Sequence, residues 1–182
     1  MSVEETLADA RDRMEKSVES TRSEFTSLRT GRANPALLDR VIVNYYGAPT
    51  PLKQLAQIGA PEPRLLTVTP FDKGAMKEIE KAISDAELGF NPANDGVLIR
   101  LPVPELTEER RKDMVKLARK MAEDGRIAVR NIRRDAIAEF KAGDATEDEV
   151  HRAEGDVQKV TDEHIAHIDA ALKSKEAEVM EV

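Results

Sequence analysis

The sequence contains no cysteine and no tryptophan, and aromatic residues make up only 3% of its 182 positions. The absence of cysteine excludes disulfides, thiolate nucleophiles and cysteine-ligated metal. No apolar run approaches the roughly 20 residues needed to cross a bilayer, and the acidic, amphipathic start "MSVEETLADARDR" is unlike a signal peptide. We therefore expect a cytoplasmic chain whose modest core is built from aliphatic residues, as in packed helices.

Proline is missing from both ends of the chain. All nine prolines lie between Pro35 and Pro104, and six of the nine glycines lie in or at the edge of the same section. A proline inside a helix costs about 3 kcal/mol or more, so the proline-free flanks can form long helices. This distribution predicts a helical domain interrupted by a smaller insert, with the chain crossing between them at "RTGRANP" and "PVPELT".

The flanks have the apolar periodicity of three amphipathic helices. Capping boxes are predicted at Ser2 with Glu5 and at Thr146 with Glu149, the second helix should begin at Thr107, and Gly143 should end it. The apolar stripes are Leu7, Met14, Val18, Phe25 and Leu28 in the first helix, Met114, Ala118, Met121, Gly125, Ala128 and Ile132 in the second, and Val150, Ala153, Val157, Val160, Ile168, Leu172 and Val179 in the third. Helices of roughly 27 to 36 residues would be about 40 to 54 Å long and should form an elongated bundle.

In the middle section, the apolar residues no longer follow a single helical period. Three short segments rich in β-branched residues, "VIVNYYG", "LLTVTPF" and "GVLIRLP", are predicted to be strands. One helix is predicted in "MKEIEKAISDAELG", with Met76, Ile79, Ala82 and Ile83 on one face and Gly89 at its end. The predicted fold class is therefore α+β, an elongated three-helix bundle with an inserted small β/α/β domain.

The predicted boundaries place residues 1–30 and 106–182 in the bundle and residues 31–105 in the insert. Two crossing segments restrain twisting more than bending, so we expect hinge motion at about 30–34 and 102–106. The candidate hinge residues are Thr30, Gly31, Ala33, Pro102, Val103, Pro104 and Glu105.

Basic residues are concentrated in the second helix, although the whole chain has a formal net charge of −7. From Arg110 to Arg134 there are ten basic and three acidic residues, so this segment carries +7 and the rest of the chain −14. A positive strip on a negative body suits a polyanion that must bind in one orientation, because the remaining surface repels it.

The basic stripe is expected to face solvent, opposite the apolar stripe of the same helix. Its members are Lys112, Lys116, Arg119, Arg126, Arg130 and Arg133. One interpretation is a solvated face that forms salt bridges with its neighbours. Two details favour phosphate binding instead: arginine forks match phosphate, and Arg130 and Arg134 each follow an arginine four positions earlier, so that only Asp135 should offset much of their charge. RNA is favoured only slightly over DNA, since no groove-reading motif is found.

Catalysis has little support in the sequence. It contains no P-loop, G-x-G-x-x-G or G-x-S-x-G motif. The three histidines are His151, His164 and His167, and we expect them to be helix-surface residues instead of metal ligands. No catalytic residue, metal site or cofactor is predicted.

Six phrases together carry a family resemblance over essentially the whole chain. They are "LRTGRANPALLD", "VNYYGAPTPLKQLA", "LGFNPANDG", "IRLPVPELTEERRKDMVKLA", "IAVRNIRRDA" and "DVQKVTDEHI". In order and spacing they resemble the bacterial ribosome recycling factors. One departure is that the stretch between "RRDA" and "DVQK" is shorter than in many members by roughly one helical turn, which would keep the helical faces in phase.

The resemblance implies an L-shaped, monomeric protein that is not an enzyme and needs no cofactor. Such a protein binds the post-termination ribosome and, with elongation factor G and GTP, promotes subunit dissociation and release of mRNA and tRNA. Its bundle lies against 23S rRNA of the large ribosomal subunit. The implied rRNA-binding residues here are Arg29, Arg32, Arg110, Arg111, Arg130, Arg133 and Arg134. Two alternatives remain open from the residues themselves: a helical adaptor protein, and a general RNA chaperone without ribosome specificity.

Overall fold

The computed structural model describes residues 1–181 and divides them into two compact units. One unit contains Met1–Leu28 and residues 111–181, and the other contains Arg29–Arg110. The helices are α1 (Val3–Thr26), α2 (Leu52–Leu55), α3 (Met76–Asp85), α4 (Glu108–Ala142) and α5 (Glu147–Met180). The strands are β1 (Ile42–Tyr45), β2 (Ala48–Pro51), β3 (Ala56–Glu62), β4 (Leu65–Pro70), β5 (Ala93–Asn94) and β6 (Ile99–Pro102). No helix in the described residues is both long and apolar enough to cross a membrane.

The first unit is a three-helix bundle of α1, α4 and α5, which have 24, 35 and 34 residues. Side-chain pairs give the directions: Arg13 of α1 binds Asp135 of α4, whereas Thr21 lies beside Gly125. Similarly, Arg126 of α4 binds Asp169 of α5, whereas Lys141 of α4 binds Glu154 of α5. Helix α4 therefore runs antiparallel to both of the others. The predicted bundle with a small β-containing unit is confirmed.

Both predicted capping boxes are present. At the start of α1, the Glu5 amide donates to Ser2 Oγ over 3.1 Å, and the Ser2 amide donates back to Glu5 Oε2 over 2.8 Å. At the start of α5, the Glu149 amide donates to Thr146 Oγ1, and the Thr146 amide donates to Glu149 Oε2 over 2.8 Å. This hydrogen bond from the backbone holds the pKa of Glu149 below its ordinary value. Short-range hydrogen bonding is therefore sufficient to define where α1 and α5 begin.

The buried face of α4 is wider than predicted. Ala122 and Val129, which the predicted stripe omits, are fully buried, whereas Met114, Met121 and Ala128 are only partly buried. The reason is that α4 packs against both other helices, and two partners cover a broader arc than one apolar stripe. The buried residues of α4 are Ala118, Ala122, Gly125, Val129, Ile132, Ala136 and Phe140.

The second unit contains two antiparallel sheets. Strands β1 and β2 form a hairpin, and the other four strands form a sheet in the order β3-β4-β6-β5. The three predicted strands and the predicted helix correspond to β1, β4, β6 and α3. The prediction missed β2, β3 and β5. Each of these lies at a sheet edge, where proline and glycine are tolerated. Their sequences lack a strong strand signal because β2 and β3 contain proline and β5 has only two residues.

The β1–β2 hairpin closes through Tyr46 and Gly47, whose φ values of +47° and +83° are typical of a type I′ turn. This turn brings two phenols to one carboxylate. The Tyr45 hydroxyl donates to Asp72 Oδ2 over 3.0 Å and the Tyr46 hydroxyl over 3.3 Å, while the Gly74 amide donates to Asp72 Oδ1 over 2.8 Å. The Gly74 amide and then Tyr45 lower the pKa of Asp72, and the bond to Asp72 raises the pKa of Tyr45.

These shifts predict a pH dependence that tyrosine absorbance can measure. In a Tyr46→Phe background, Tyr45 is the only tyrosine of a chain without tryptophan, so tyrosinate absorbance reports its ionisation alone. We expect its midpoint to lie above the ordinary value of about 10 and to fall when Asp72→Asn is added. Because the pKa of Tyr45 is raised in the folded protein, its stabilisation of the fold is present below about pH 10 and is lost as the pH rises through the raised pKa. Because the pKa of Asp72 is lowered, its stabilisation is present above about pH 4 and is lost as the pH falls through the lowered pKa. An unchanged midpoint in the Asp72→Asn variant would contradict the assignment.

Candidate nucleic-acid interface

Helix α4 begins at Glu108, directly after the predicted Thr107, whose hydroxyl accepts the Arg110 amide over 3.2 Å. Its basic residues have different environments. Arg119 Nε binds Glu176 Oε1 of α5 at 2.6 Å. Arg126 binds Asp169 of α5 at 2.7 Å and Glu123 of its own helix at 3.0 Å. These two arginines therefore connect α4 to α5.

The expectation that the whole basic stripe faces solvent is wrong for Arg126, whose side chain is only 19% exposed. Arg130 and Arg133 are also half-buried. The stripe follows a helical repeat that brings it to the edge of the α4–α5 contact, and long arginine stems pack along such an edge while their charged ends reach polar partners.

Arg130 has an acidic partner that the sequence reasoning missed. Its Nη1 lies 3.1 Å from Glu123 Oε1, two turns earlier on α4. Hydrogen bonds from Arg126 and then Arg130 hold the pKa of Glu123 below its ordinary value. The expectation that only Asp135 would offset these arginines is also wrong, because Asp135 binds Arg13 of α1 at 3.0 Å. The prediction took into account only acidic residues four positions away, but an extended arginine side chain reaches a carboxylate further along the helix.

Arg133 and Arg134 differ from the arginines before them. Arg133 Nη1 donates to the side-chain oxygen of Gln158 on α5 over 2.7 Å, so its partner is uncharged. Arg134 is exposed and forms no hydrogen bond or ion pair with any described residue. Of the three arginines in "VRNIRRDA", the last two therefore keep a charge that no direct carboxylate contact compensates.

Two further predicted arginines, Arg110 and Arg111, lie at the start of α4. Arg110 is exposed, and Arg111 is half-buried with an Nε that has no hydrogen-bond partner among the described residues. They precede the Arg130–Arg134 segment by about 19 residues or more, which is on the order of 28 Å along the helix. The structure therefore does not bring Arg110 and Arg111 next to that segment.

Arg29 and Arg32 belong to the second unit. The Arg29 guanidinium donates to the Leu88 carbonyl oxygen and lies 5.5 Å from the ring centre of Phe90. Arg29 is half-buried by these contacts, so one of its roles is to hold residues 88–90, whereas Arg32 is exposed. This contact could not be predicted from the sequence, because Arg29 and Leu88 are 59 positions apart.

The histidines were expected on helix surfaces, and this is wrong for His164. His151 and His167 are exposed, but His164 is buried and its Nδ1 lies 2.7 Å from the Val160 carbonyl oxygen. Since a carbonyl oxygen only accepts, Nδ1 carries the proton. No group of three or more histidine, aspartate or glutamate side chains in residues 1–181 is arranged to hold a metal ion.

Comparison with known proteins gives consistent matches along the chain. The family model described as "Ribosome recycling factor" matches residues 21–180. The ribosome-recycling factor of Rubrobacter xylanophilus is 55% identical over 180 residues, which cover 97% of each chain. That of Geobacillus sp. is 53% identical over 184 residues, covering 99% of this chain and 100% of the relative.

Two solved structures are similar over the full chain. A solution structure of the ribosome recycling factor has a TM-score of 0.81 and 40% identity, and the match covers 100% of this chain and 99% of that one. The other, with a TM-score of 0.68, 48% identity and complete coverage of both chains, describes the T. thermophilus ribosome recycling factor and the E. coli elongation factor G bound to the E. coli post-termination complex.

Proposed function

This chain belongs to the ribosome recycling factor family, and we propose that it performs ribosome recycling in the following way. It binds the post-termination ribosome in the cytoplasm as a monomer and, with elongation factor G and GTP, promotes dissociation of the subunits and release of mRNA and tRNA. Like its relatives it is a translation factor and not an enzyme. The single observation that supports this most is the full-length similarity to a factor bound, with elongation factor G, to a post-termination complex.

The proposed contact with 23S rRNA of the large subunit centres on Arg130, Arg133 and Arg134. Arg134 is exposed and without a partner among the described residues, and Arg133 has an uncharged partner, so both can offer N–H groups to phosphate. Arg130 would exchange Glu123 for phosphate, which is costlier because an existing ion pair must open. Each phosphate that the strip neutralises releases counterion, which makes the affinity depend on salt.

The other predicted arginines are proposed as supporting contacts. Arg110 and Arg32 are exposed, which suits phosphate binding. Arg111 and Arg29 are half-buried, and Arg29 already donates to the Leu88 carbonyl. We therefore expect the contribution of Arg29 to be smaller than those of the segment from Arg130 to Arg134, whereas Arg111 is half-buried to the same degree as Arg130 and Arg133.

We propose that the hinge contains fewer residues than the sequence predicts. The Ala33 amide donates to the Pro63 carbonyl over 2.7 Å, and the Val103 amide donates to the Arg64 carbonyl over 2.8 Å. Glu105 also forms an ion pair with Arg64. Both crossing segments are thus anchored to the β3–β4 turn of the second unit. We propose that bending involves Thr30 and Gly31 on one crossing and the residues after Glu105 on the other, while Ala33, Pro102, Val103 and Pro104 move with the second unit.

A light-scattering assay tests the proposed function. Post-termination ribosomes are mixed with elongation factor G from the same organism and GTP, with and without this protein. We expect subunit splitting that requires the protein, the elongation factor and GTP together. A folded, monomeric protein that gives no splitting would contradict the proposal. Equal affinity for ribosomes and for an arbitrary RNA would indicate a general RNA chaperone, and self-association in sedimentation would indicate a helical adaptor.

A further inference from the structure

Within the segment from Arg130 to Arg134, the side chain of Arg133 is held in place by a neutral side chain, that of Gln158. Arg119, Arg126 and Arg130 all bind carboxylates, at 2.6 to 3.1 Å. Arg133 instead donates from Nη1 to Gln158 Oε1 over 2.7 Å. A carboxylate in this position would both hold and neutralise the guanidinium, whereas an amide holds it and leaves its charge.

The Gln158 amide has only one orientation that satisfies both of its neighbours. A guanidinium has no acceptor, so the amide oxygen must face Arg133. The amide nitrogen then faces Asp162, one turn further along α5, and donates to Asp162 Oδ1 over 2.9 Å. Asp162 therefore fixes the direction of the Gln158 dipole, and two residues of α5 together define the place of the Arg133 guanidinium.

The remaining donors of Arg133 show which edge of the guanidinium is available. Its Nε is buried and has no hydrogen-bond partner among the described residues, so this edge lies against the protein. Nη1 is held by Gln158, and Nη2 forms no hydrogen bond within residues 1–181. The side chain is half-buried and restrained before any ligand arrives. Less conformational entropy is then lost on binding than for a free arginine.

We propose that Gln158, oriented by Asp162, is a positioning residue that fixes the Arg133 guanidinium for an rRNA phosphate without neutralising it. The inference rests on the proposed function, since it assumes that Arg133 contacts rRNA. It assigns a binding role to α5, although the basic residues of the strip are all on α4. It also predicts that the hydrogen-bond acceptor and the charge of the side chain at position 158 have separate effects on ribosome binding.

Two substitutions at position 158 separate the positioning of the Arg133 guanidinium from the effect of a negative charge beside it. Gln158→Leu removes the acceptor at similar volume, and we expect it to weaken binding to the ribosome about threefold to tenfold with an unchanged salt dependence. Gln158→Glu keeps the acceptor but adds a carboxylate. We expect it to bind about tenfold more weakly and to lose about one unit of the slope of log affinity against log salt, as when one phosphate contact is lost.

The matched control for the added charge is Ser174→Glu. Ser174 is exposed on α5, and it lies 16 positions after Gln158, which is about 24 Å along the helix on nearly the opposite face. We expect this variant to change the affinity by less than about twofold, because exposed charges this far apart are screened at physiological salt. Thermal unfolding of every variant checks that the bundle remains folded.

A double-mutant cycle tests whether Gln158 acts through Arg133. In an Arg133→Ala background, Gln158→Leu is expected to change the affinity by less than about twofold. A loss that persists there, or a Gln158→Leu variant with wild-type affinity while Arg133→Ala is weakened, would overturn the positioning role and leave the proposed function standing. Wild-type affinity of Arg133→Ala would overturn both the positioning role and the assignment of Arg133 to the rRNA contact, whereas the splitting assay would still test recycling itself.

Discussion

Replacing Gly125 by alanine is expected to lower the free energy of unfolding by about 2 kcal/mol. A Cβ added at Gly125 would overlap Thr21 Oγ1 of α1 and lie 3.2 Å from Ile168 Cδ1 of α5. Overpacking of a tight core costs about 1–3 kcal/mol, and this overlap belongs at the upper end. Alanine regains about 1 kcal/mol in helix propensity, which does not offset the collision. Chemical denaturation, read by circular dichroism, measures the change.

Gly155 supplies the matched control, because it is an exposed glycine inside α5 with no atom within 4 Å of an added Cβ. Gly155→Ala should stabilise the protein by about 1 kcal/mol through helix propensity alone. Thr21→Ala in the Gly125→Ala background removes the overlapping hydroxyl and should recover about 1 kcal/mol. An equal gain of stability in both glycine variants would contradict the close approach of α1 and α4 at Gly125.

The second large effect is expected for Arg133→Ala, which should weaken binding to the ribosome about 10- to 100-fold. Hydrogen bonds to charged groups contribute about 1.5–3 kcal/mol, and the substitution removes a restrained guanidinium whose only partner within residues 1–181 is neutral. The slope of log affinity against log salt should fall by about one, as for the loss of one phosphate contact. Equilibrium binding to ribosomes at several salt concentrations measures both quantities.

Arg119→Ala is the control for this experiment. It removes the same charge from the same helix, but Arg119 is paired with Glu176 at 2.6 Å and is not among the residues proposed to bind rRNA. We expect a change in affinity of less than about threefold. The free energy of unfolding should change by about 0–1 kcal/mol in Arg119→Ala, which loses an exposed ion pair, and should fall by about 1 kcal/mol in Arg133→Ala, which loses the hydrogen bond to Gln158. Equal losses of affinity in the two variants would indicate a general electrostatic attraction in place of a defined contact at Arg133.

Local interactions made much of the fold predictable. The starts of α1 and α5 depend on capping boxes within three residues, and the sequence alone identifies both. The apolar repeats identify the three long helices, and the confinement of proline to residues 35–104 separates the β-containing part. Strands β2, β3 and β5 could not be predicted in this way, because β2 and β3 contain proline and β5 has only two residues, so that pairing with a neighbour and not their own composition stabilises them.

The candidate site also has a part that can be predicted from the sequence and a part that cannot. The concentrated positive charge of α4 and the closeness of Arg130, Arg133 and Arg134 follow from composition and helical spacing, and both can be predicted before any packing is known. Which charges are compensated depends on how α5 packs against α4: Asp169 pairs with Arg126 across 43 positions, whereas the neutral Gln158 binds Arg133 across 25 positions and leaves its charge. Ion pairing and hydrogen bonding act over a few ångströms in space, whatever the separation along the chain, so an arginine's partner depends on how the helices pack.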